Sequence, residues 1–128
     1  MIWFLLSLAF ADPLVVEVRG LTSDEGHVLC TLYDRAETWL DDPGYLATTE
    51  AKPSGGTARC DFGEQPAGTY AATFLHDLDD DGDMASNWLG LPKEPWGITR
   101  DPAIRFGPPA FSAASFAWPG DVPSMSAR

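Results

Sequence analysis

The sequence between residues 14 and 33 decides the fold, because it holds two alternating runs, LVVEVR at 14–19 and HVLCTLY at 27–33. Apolar residues recur at every second position of each run, which is the pattern of a β-strand with one buried face. Gly20 and the polar segment 23–26 separate the runs as a turn. We therefore predict that the two strands pair with each other as a hairpin.

Residues 57–62 and 111–118 alternate in the same way, and residues 69–76 are rich in aromatic and other residues that favour strands. Turn residues separate these three segments. A chain of 128 residues is the size of one domain. Several short strands joined by turns predict an all-β fold, a single antiparallel β-sandwich over residues 12–118. We expect residues 119–128 to form a disordered C-terminal tail.

The N-terminus resembles an export signal. Residues 2–10 are apolar but too few to span a bilayer as a helix, and small residues stand at positions 9 and 11. We predict that residues 1–11 are a signal peptide and that the protein is periplasmic or extracellular. The alternative is a buried N-terminal strand.

The two cysteines fit an exported protein. Cys30 and Cys60 each fall on the apolar parity of a predicted strand. Disulfides form and persist outside the cytoplasm, so we predict a Cys30–Cys60 disulfide.

The overall charge restricts the partners. The chain carries 19 acidic residues against 8 basic ones, a net charge of −11. Phosphate backbones and anionic membrane surfaces would be repelled, so nucleic acid is excluded as a partner. No membrane span is expected, because the apolar stretch at 2–10 is too short to cross a bilayer.

An acidic run, DLDDDGD at 77–83, follows the predicted strand 69–76. Its carboxylates repel one another unless water or a cation offsets the charge. Carboxylates on a tight loop with a Gly at the turn are ligands that Ca²⁺ prefers. The predicted Ca²⁺ ligands are alternate aspartates and two oxygen donors downstream, namely Asp77, Asp79, Asp81, Asp83, Asn87 and Glu94.

Two observations keep an alternative to calcium open. The run matches only the first half of an EF-hand loop, because Trp88 stands where a bidentate Glu is required. The aspartates could instead form a solvated loop in which they bond to their own backbone. Zinc is disfavoured, since the chain has only two His and both Cys are expected to be oxidised.

The segment 84–109 is rich in both Pro and large apolar residues. Its prolines exclude long helices and central strands, and its apolar residues indicate a long ordered loop packed on the sheet. Trp88, Trp96 and Phe106 could line a carbohydrate- or peptide-binding groove. The alternative is that they only anchor the loop.

Enzyme signatures are absent from the sequence. It contains no Gly-x-Ser-x-Gly elbow, phosphate-binding Gly loop or Cys–His nucleophile arrangement. We therefore expect a non-catalytic protein, with an undetected hydrolase as the less favoured class.

A set of motifs in fixed order resembles a known family. It comprises PAGTYA at 66–71, HD at 76–77, the acidic run, NWLGLP at 87–92, Glu94, WG at 96–97, FGPP at 106–109, Phe111 and ASF at 114–116. Over residues 14–118 the chain is similar to the bacterial family catalogued as domain of unknown function 2141. The resemblance implies a secreted or periplasmic sandwich of immunoglobulin-like or transthyretin-like style, and it brings no catalytic residues.

The sequence thus predicts an exported, monomeric, non-catalytic module. Its acidic loop would bind Ca²⁺ and stabilise the fold, because an ion that binds only the folded state raises the free energy of unfolding. A carbohydrate- or peptide-binding module is the alternative, and a protein surface or a carbohydrate is the possible partner.

Overall fold

The computed structural model describes residues 13–41, 44–78, 95–104, 107–120 and 122–128. Within these ranges the chain forms eight strands, one 3₁₀ helix and one short α-helix. They are β1 (Pro13–Arg19), β2 (His27–Tyr33), the 3₁₀ helix Ala36–Thr38, β3 (Ala47–Ala51), β4 (Ala58–Glu64), β5 (Gly68–Asp77), β6 (Trp96–Ile98), α1 (Phe111–Ala114), β7 (Phe116–Trp118) and β8 (Ser124–Ser126).

The strands form two sheets. The three-stranded sheet has the order β4-β1-β8, and the five-stranded sheet has the order β3-β2-β5-β6, with β7 also paired to β5. All pairings are antiparallel except that of β1 with β8. The predicted all-β sandwich is therefore confirmed, whereas the immunoglobulin-like or transthyretin-like style is supported only by the two-sheet architecture.

The core lies between the sheets. Its fully buried residues come from the inward parity of strands in both sheets, for example Val16 and Val18 of β1 and Val28 and Leu32 of β2. This burial supplies most of the stabilisation, because each large aliphatic side chain contributes about 1.5–3 kcal/mol when removed from water.

The predicted hairpin of β1 with β2 is wrong. β1 pairs with β4 and β8, whereas β2 pairs with β3 and β5, so the two strands belong to different sheets. The connection between them contains Leu21, which is buried in the core and whose N–H donates to the Gly56 carbonyl oxygen at 3.0 Å. The connection is thus anchored between the sheets rather than folded back as a tight turn.

The predicted disulfide is confirmed. Cys30 of β2 and Cys60 of β4 are bonded with their Cα atoms 6.1 Å apart, and both residues are buried. The bond joins one sheet to the other, as expected for two cysteines that both occupy the inward parity.

The predicted strand 111–118 is only half correct. Residues 116–118 form β7, but residues 111–114 form α1. The Ser and Ala residues of this segment have small side chains that fit either conformation. Burial of Ala114 against Ala71 on β5 accompanies the helical turn.

The prediction of a disordered tail at 119–128 is also wrong, and the domain does not end at residue 118. β8 pairs in parallel with β1, and Met125 is fully buried in the core. Asp101 fixes this strand, because its carboxylate accepts hydrogen bonds from the Ser126 backbone N–H at 2.8 Å and hydroxyl at 3.2 Å.

Two further predictions can be compared only in part. The signal peptide at 1–11 and residues 84–94, 105 and 106 of the Pro- and Trp-rich loop lie outside the described residues. Of that loop, residues 96–98 form β6 at the edge of the sheet, which agrees with the exclusion of a central strand. Among the described residues, no helix has the length and hydropathy that crossing a bilayer requires.

Candidate functional site

The candidate site lies on the outer face of the five-stranded sheet. Alternation gives β2 two different faces: Val28 and Cys30 enter the core, whereas Leu29 and Thr31 point outward. The outward residues would be polar if this face were fully solvated. Leu29 is instead apolar and half-buried, so the outer face of the sheet is itself partly covered.

The strand register arranges the outward residues in two rows. Leu29 of β2 lies opposite Leu75 of β5, which lies opposite Trp96 of β6. The neighbouring row contains Thr31, Thr73 and Ile98 on the same three strands. An apolar row therefore runs beside a row that contains two hydroxyl groups.

An aromatic cluster covers one end of this face. Trp39 packs edge-on against Tyr33, with ring centroids 5.0 Å apart, and against Phe111 at 5.7 Å. The Trp39 indole N–H also donates to the Pro109 carbonyl oxygen at 2.8 Å. These contacts hold two loops, the one containing Leu40 and the one containing Pro109, above the sheet.

A buried threonine attaches α1 to the same face. The Thr99 hydroxyl donates to the Ala114 carbonyl oxygen at 2.6 Å and accepts from the Ala72 backbone N–H at 3.1 Å. Because each buried hydroxyl without a partner is costly, this satisfied bridge fixes the helix against β5.

These elements enclose an open groove of about 520 Å³. The two rows form its floor, and Leu40, Ile104, Pro108 and Pro109 form its rim. Among the described lining residues none is charged, and the polar side-chain groups are the hydroxyls of Thr31 and Thr73 and the indole N–H of Trp96. The volume lies within the range of about 300–1,000 Å³ that is typical of small-molecule sites.

Trp96, one of the three predicted ligand-binding aromatics, lies at the groove. Its ring also contacts the Arg128 guanidinium, 5.6 Å from the ring centroid, and its carbonyl oxygen accepts from the Arg128 N–H at 2.9 Å. These contacts limit the freedom of the indole. The other two predicted aromatics, Trp88 and Phe106, lie outside the described residues.

Of the six predicted calcium ligands, only Asp77 is described. It is the last residue of β5, it lies opposite His27, and 2% of its surface is exposed. The other five lie outside the described residues: Asp79, Asp81, Asp83, Asn87 and Glu94. Within the ranges that the structure describes, no group of three or more potential metal-ligating side chains occurs.

The strand end at Asp77 is supported by the loop between β1 and β2. The Asp24 carboxylate accepts the backbone N–H groups of Gly56 at 3.1 Å and Gly55 at 2.9 Å, which hold the pKa of Asp24 below its usual value. His76 is buried, and its Nε2 lies 2.7 Å from the Glu25 carbonyl oxygen. These contacts attach the loop both to the turn after β3 and to β5.

The sequence pattern singled out Trp96, which lines the groove, but it did not identify the other residues of the groove floor. The signal was present, because HVLCTLY at 27–33 carries apolar residues on both parities, with Leu29 and Tyr33 on the outward one. A strand that is apolar on both faces is typically covered on both.

The fold and groove define a class: a small β-sandwich with an apolar groove on the outer face of one sheet. The chain belongs to the family described as uncharacterized protein conserved in bacteria (DUF2141), which matches residues 16–125. The resemblance inferred from the motifs is thereby confirmed. Comparisons with curated proteins and with solved structures give no match.

Proposed function

We propose that this protein is an exported, non-catalytic module that binds an apolar small molecule in the groove. The observation that carries this proposal is the uncharged lining of a groove of about 520 Å³ on a sheet face. Apolar surface that remains accessible in such a concave site gains free energy when a ligand covers it. Export is supported by the buried Cys30–Cys60 disulfide, because such bonds persist in oxidising compartments.

The lining favours an apolar ligand over a carbohydrate or a peptide. A sugar needs several hydrogen-bonding partners, and among the described lining residues only the two threonine hydroxyls and the Trp96 indole N–H can supply them. An extended peptide usually pairs with the backbone of a sheet edge. The groove floor is instead the face of β2 and β5, whose backbone groups pair within the sheet.

The test is binding of N-phenyl-1-naphthylamine, an uncharged probe whose fluorescence rises in apolar surroundings. We expect the full chain to bind it and Ile104→Asp to weaken binding by at least about tenfold, because a charge at the rim opposes an apolar ligand. Ile104 is 39% exposed, so the variant is expected to fold.

The matched control is Val122→Asp, which makes the same kind of change at an apolar residue that is 56% exposed and outside the groove. It should bind the probe like the parent chain. Absence of binding by the parent chain, or equal weakening by both variants, would contradict a site in the groove.

A second candidate function is Ca²⁺ binding by the acidic run, as predicted from the sequence. It is supported by the position of Asp77, a buried carboxylate from which β5 leads directly into the other aspartates. The ion would reduce repulsion among these carboxylates and stabilise the end of β5.

Thermal unfolding in excess Ca²⁺, excess Mg²⁺ and excess chelator tests this candidate. We expect a rise in Tm that is selective for Ca²⁺, because a cation bound only by the folded state stabilises it. The rise should vanish in the double variant Asp79→Ala with Asp81→Ala. Equal Tm values in all three conditions would refute calcium binding without affecting the groove.

A further inference from the structure

We infer that the groove selects an uncharged, mainly hydrocarbon ligand that carries a hydroxyl or carbonyl oxygen, and that Thr31 and Thr73 are the residues that recognise this oxygen. The inference rests on the proposed function, since it specifies the ligand of the same groove.

The ligand is uncharged because no charged side chain among the described lining residues can pair with a buried charge. The lining contains neither a carboxylate for a cation nor a basic group for an anion among its described residues. Moving an unpaired charge out of water is costly. An anion would also be repelled by the net charge of −11.

The ligand is mainly hydrocarbon because the row beside the threonines is apolar throughout. Leu29, Leu75 and Trp96 lie next to one another across three strands. The indole offers a flat surface for a ring, and the two leucines extend that surface along the floor.

The oxygen is inferred from the position of the two threonines. Thr31 and Thr73 lie directly opposite each other, and directly opposed residues have Cβ atoms about 4.5–5.5 Å apart. Both are half-buried at the floor of the groove, and no described residue makes a hydrogen bond with either hydroxyl. A purely hydrocarbon ligand would remove these hydroxyls from water without replacing their hydrogen bonds.

A ligand oxygen placed between the two threonines would correct this loss. A hydroxyl could donate to one threonine and accept from the other, and a carbonyl oxygen could accept from both. Recognition by paired hydroxyls discriminates well, because the analogue that lacks the oxygen leaves both of them unsatisfied.

The test compares four ligands that share one ring system: naphthalene, 2-naphthol, 2-naphthoate and 2-naphthylmethylammonium. Each displaces N-phenyl-1-naphthylamine from the full chain at neutral pH. We expect 2-naphthol to bind about three- to tenfold more tightly than naphthalene, the gain typical of a hydrogen bond. Both charged ligands should bind at least about tenfold more weakly than 2-naphthol.

The double variant Thr31→Val with Thr73→Val assigns the preference to these residues. Valine keeps the shape and the strand preference of threonine but lacks the hydroxyl. The variant should bind naphthalene and 2-naphthol equally, whereas Thr31→Ser with Thr73→Ser should retain the preference. The matched control Thr48→Val changes the next residue of the same row, on β3 and outside the lining.

Three outcomes separate this inference from the proposed function. Equal binding of all four ligands, with loss in Ile104→Asp, would overturn the inference and leave the groove as an apolar site. Persistence of the 2-naphthol preference in the valine variant would overturn the role of the threonines. Failure of the parent chain to bind any of the probes would overturn both. If the valine variant does not fold, the four-ligand comparison on the parent chain still decides the ligand class.

Discussion

At the residue scale, Gly26 shows how closely the loop between β1 and β2 approaches the end of β5. Its φ angle is +67°, in the left-handed region that favours glycine. A methyl group added at Gly26 would overlap the Asp77 carbonyl group. Glycine is therefore required here for two reasons: the positive φ angle of its backbone and the lack of space for a side chain beside β5.

Gly26→Ala should consequently lower the free energy of unfolding by about 2–4 kcal/mol, through backbone strain and through displacement of β5. The matched control is Gly63→Ala, whose φ is +74° but whose added methyl group meets nothing within 4 Å. The control should lose only about 1 kcal/mol, the cost of the backbone alone. Urea unfolding measures both, and equal losses would contradict the close approach at Asp77.

At the element scale, the short strand β8 contributes both to a sheet and to the core. It has three residues, yet it extends the sheet of β1 and places Met125 in the core. The residues that follow it hydrogen-bond to both sheets: the Ala127 N–H donates to the Arg19 carbonyl oxygen and the Arg128 N–H to that of Trp96. This segment therefore connects the two sheets along one edge.

Met125→Ala should lower the free energy of unfolding by about 2–5 kcal/mol, because it leaves a cavity in the core. Val122→Ala, three residues away and 56% exposed, should change it by less than about 0.5 kcal/mol. Chemical unfolding of the two variants distinguishes an ordered strand from a disordered tail. A tail would give two small and equal effects.

Strand pairing is the feature that the sequence predicts least well, because a local pattern does not specify which other strand a strand pairs with. Alternation in 14–19 and 27–33 identified which face of each strand is buried but not which strands pair. The pairing of β1 with β8 joins residues more than a hundred positions apart. The strand β8 has only three residues, and Met125 is the one apolar residue in it. This pattern is too short to indicate a strand.

Predictions that depend on parity alone were more successful. Cys30 and Cys60 both fall on the apolar parity of their strands, and in a two-layer fold that parity faces the opposite sheet, where a disulfide partner can lie. The helix α1 is not predictable from the sequence, because the small residues at 112–114 show no periodicity that distinguishes a helix from a strand. The groove is not predictable from local patterns, because its lining comes from β2, β5, β6 and the segments that contain Leu40, Ile104 and Pro109, which only the tertiary structure brings together.

At the scale of the whole molecule, the disulfide and the core lie on one side of the five-stranded sheet and the groove on the other. The aromatic cluster around Trp39 forms a small second core on the groove side, with Ala71, Ile98 and Ala114 as its buried members. The sandwich is in effect three layers thick where this cluster lies, since loops and α1 add a partial layer above the sheet.

The alternation of β2 and β5 has a consequence for how such a protein can diversify. Successive residues of one strand are under different constraints, because one residue packs in the core and the next faces the groove. Changes at Leu29, Thr31, Thr73 or Leu75 would alter the lining of the groove, whereas Val28, Cys30 and Ala72 lie in the core and outside that lining. Each of these strands therefore carries two independent sets of positions, and the outward set can be substituted while the inward set keeps the core intact.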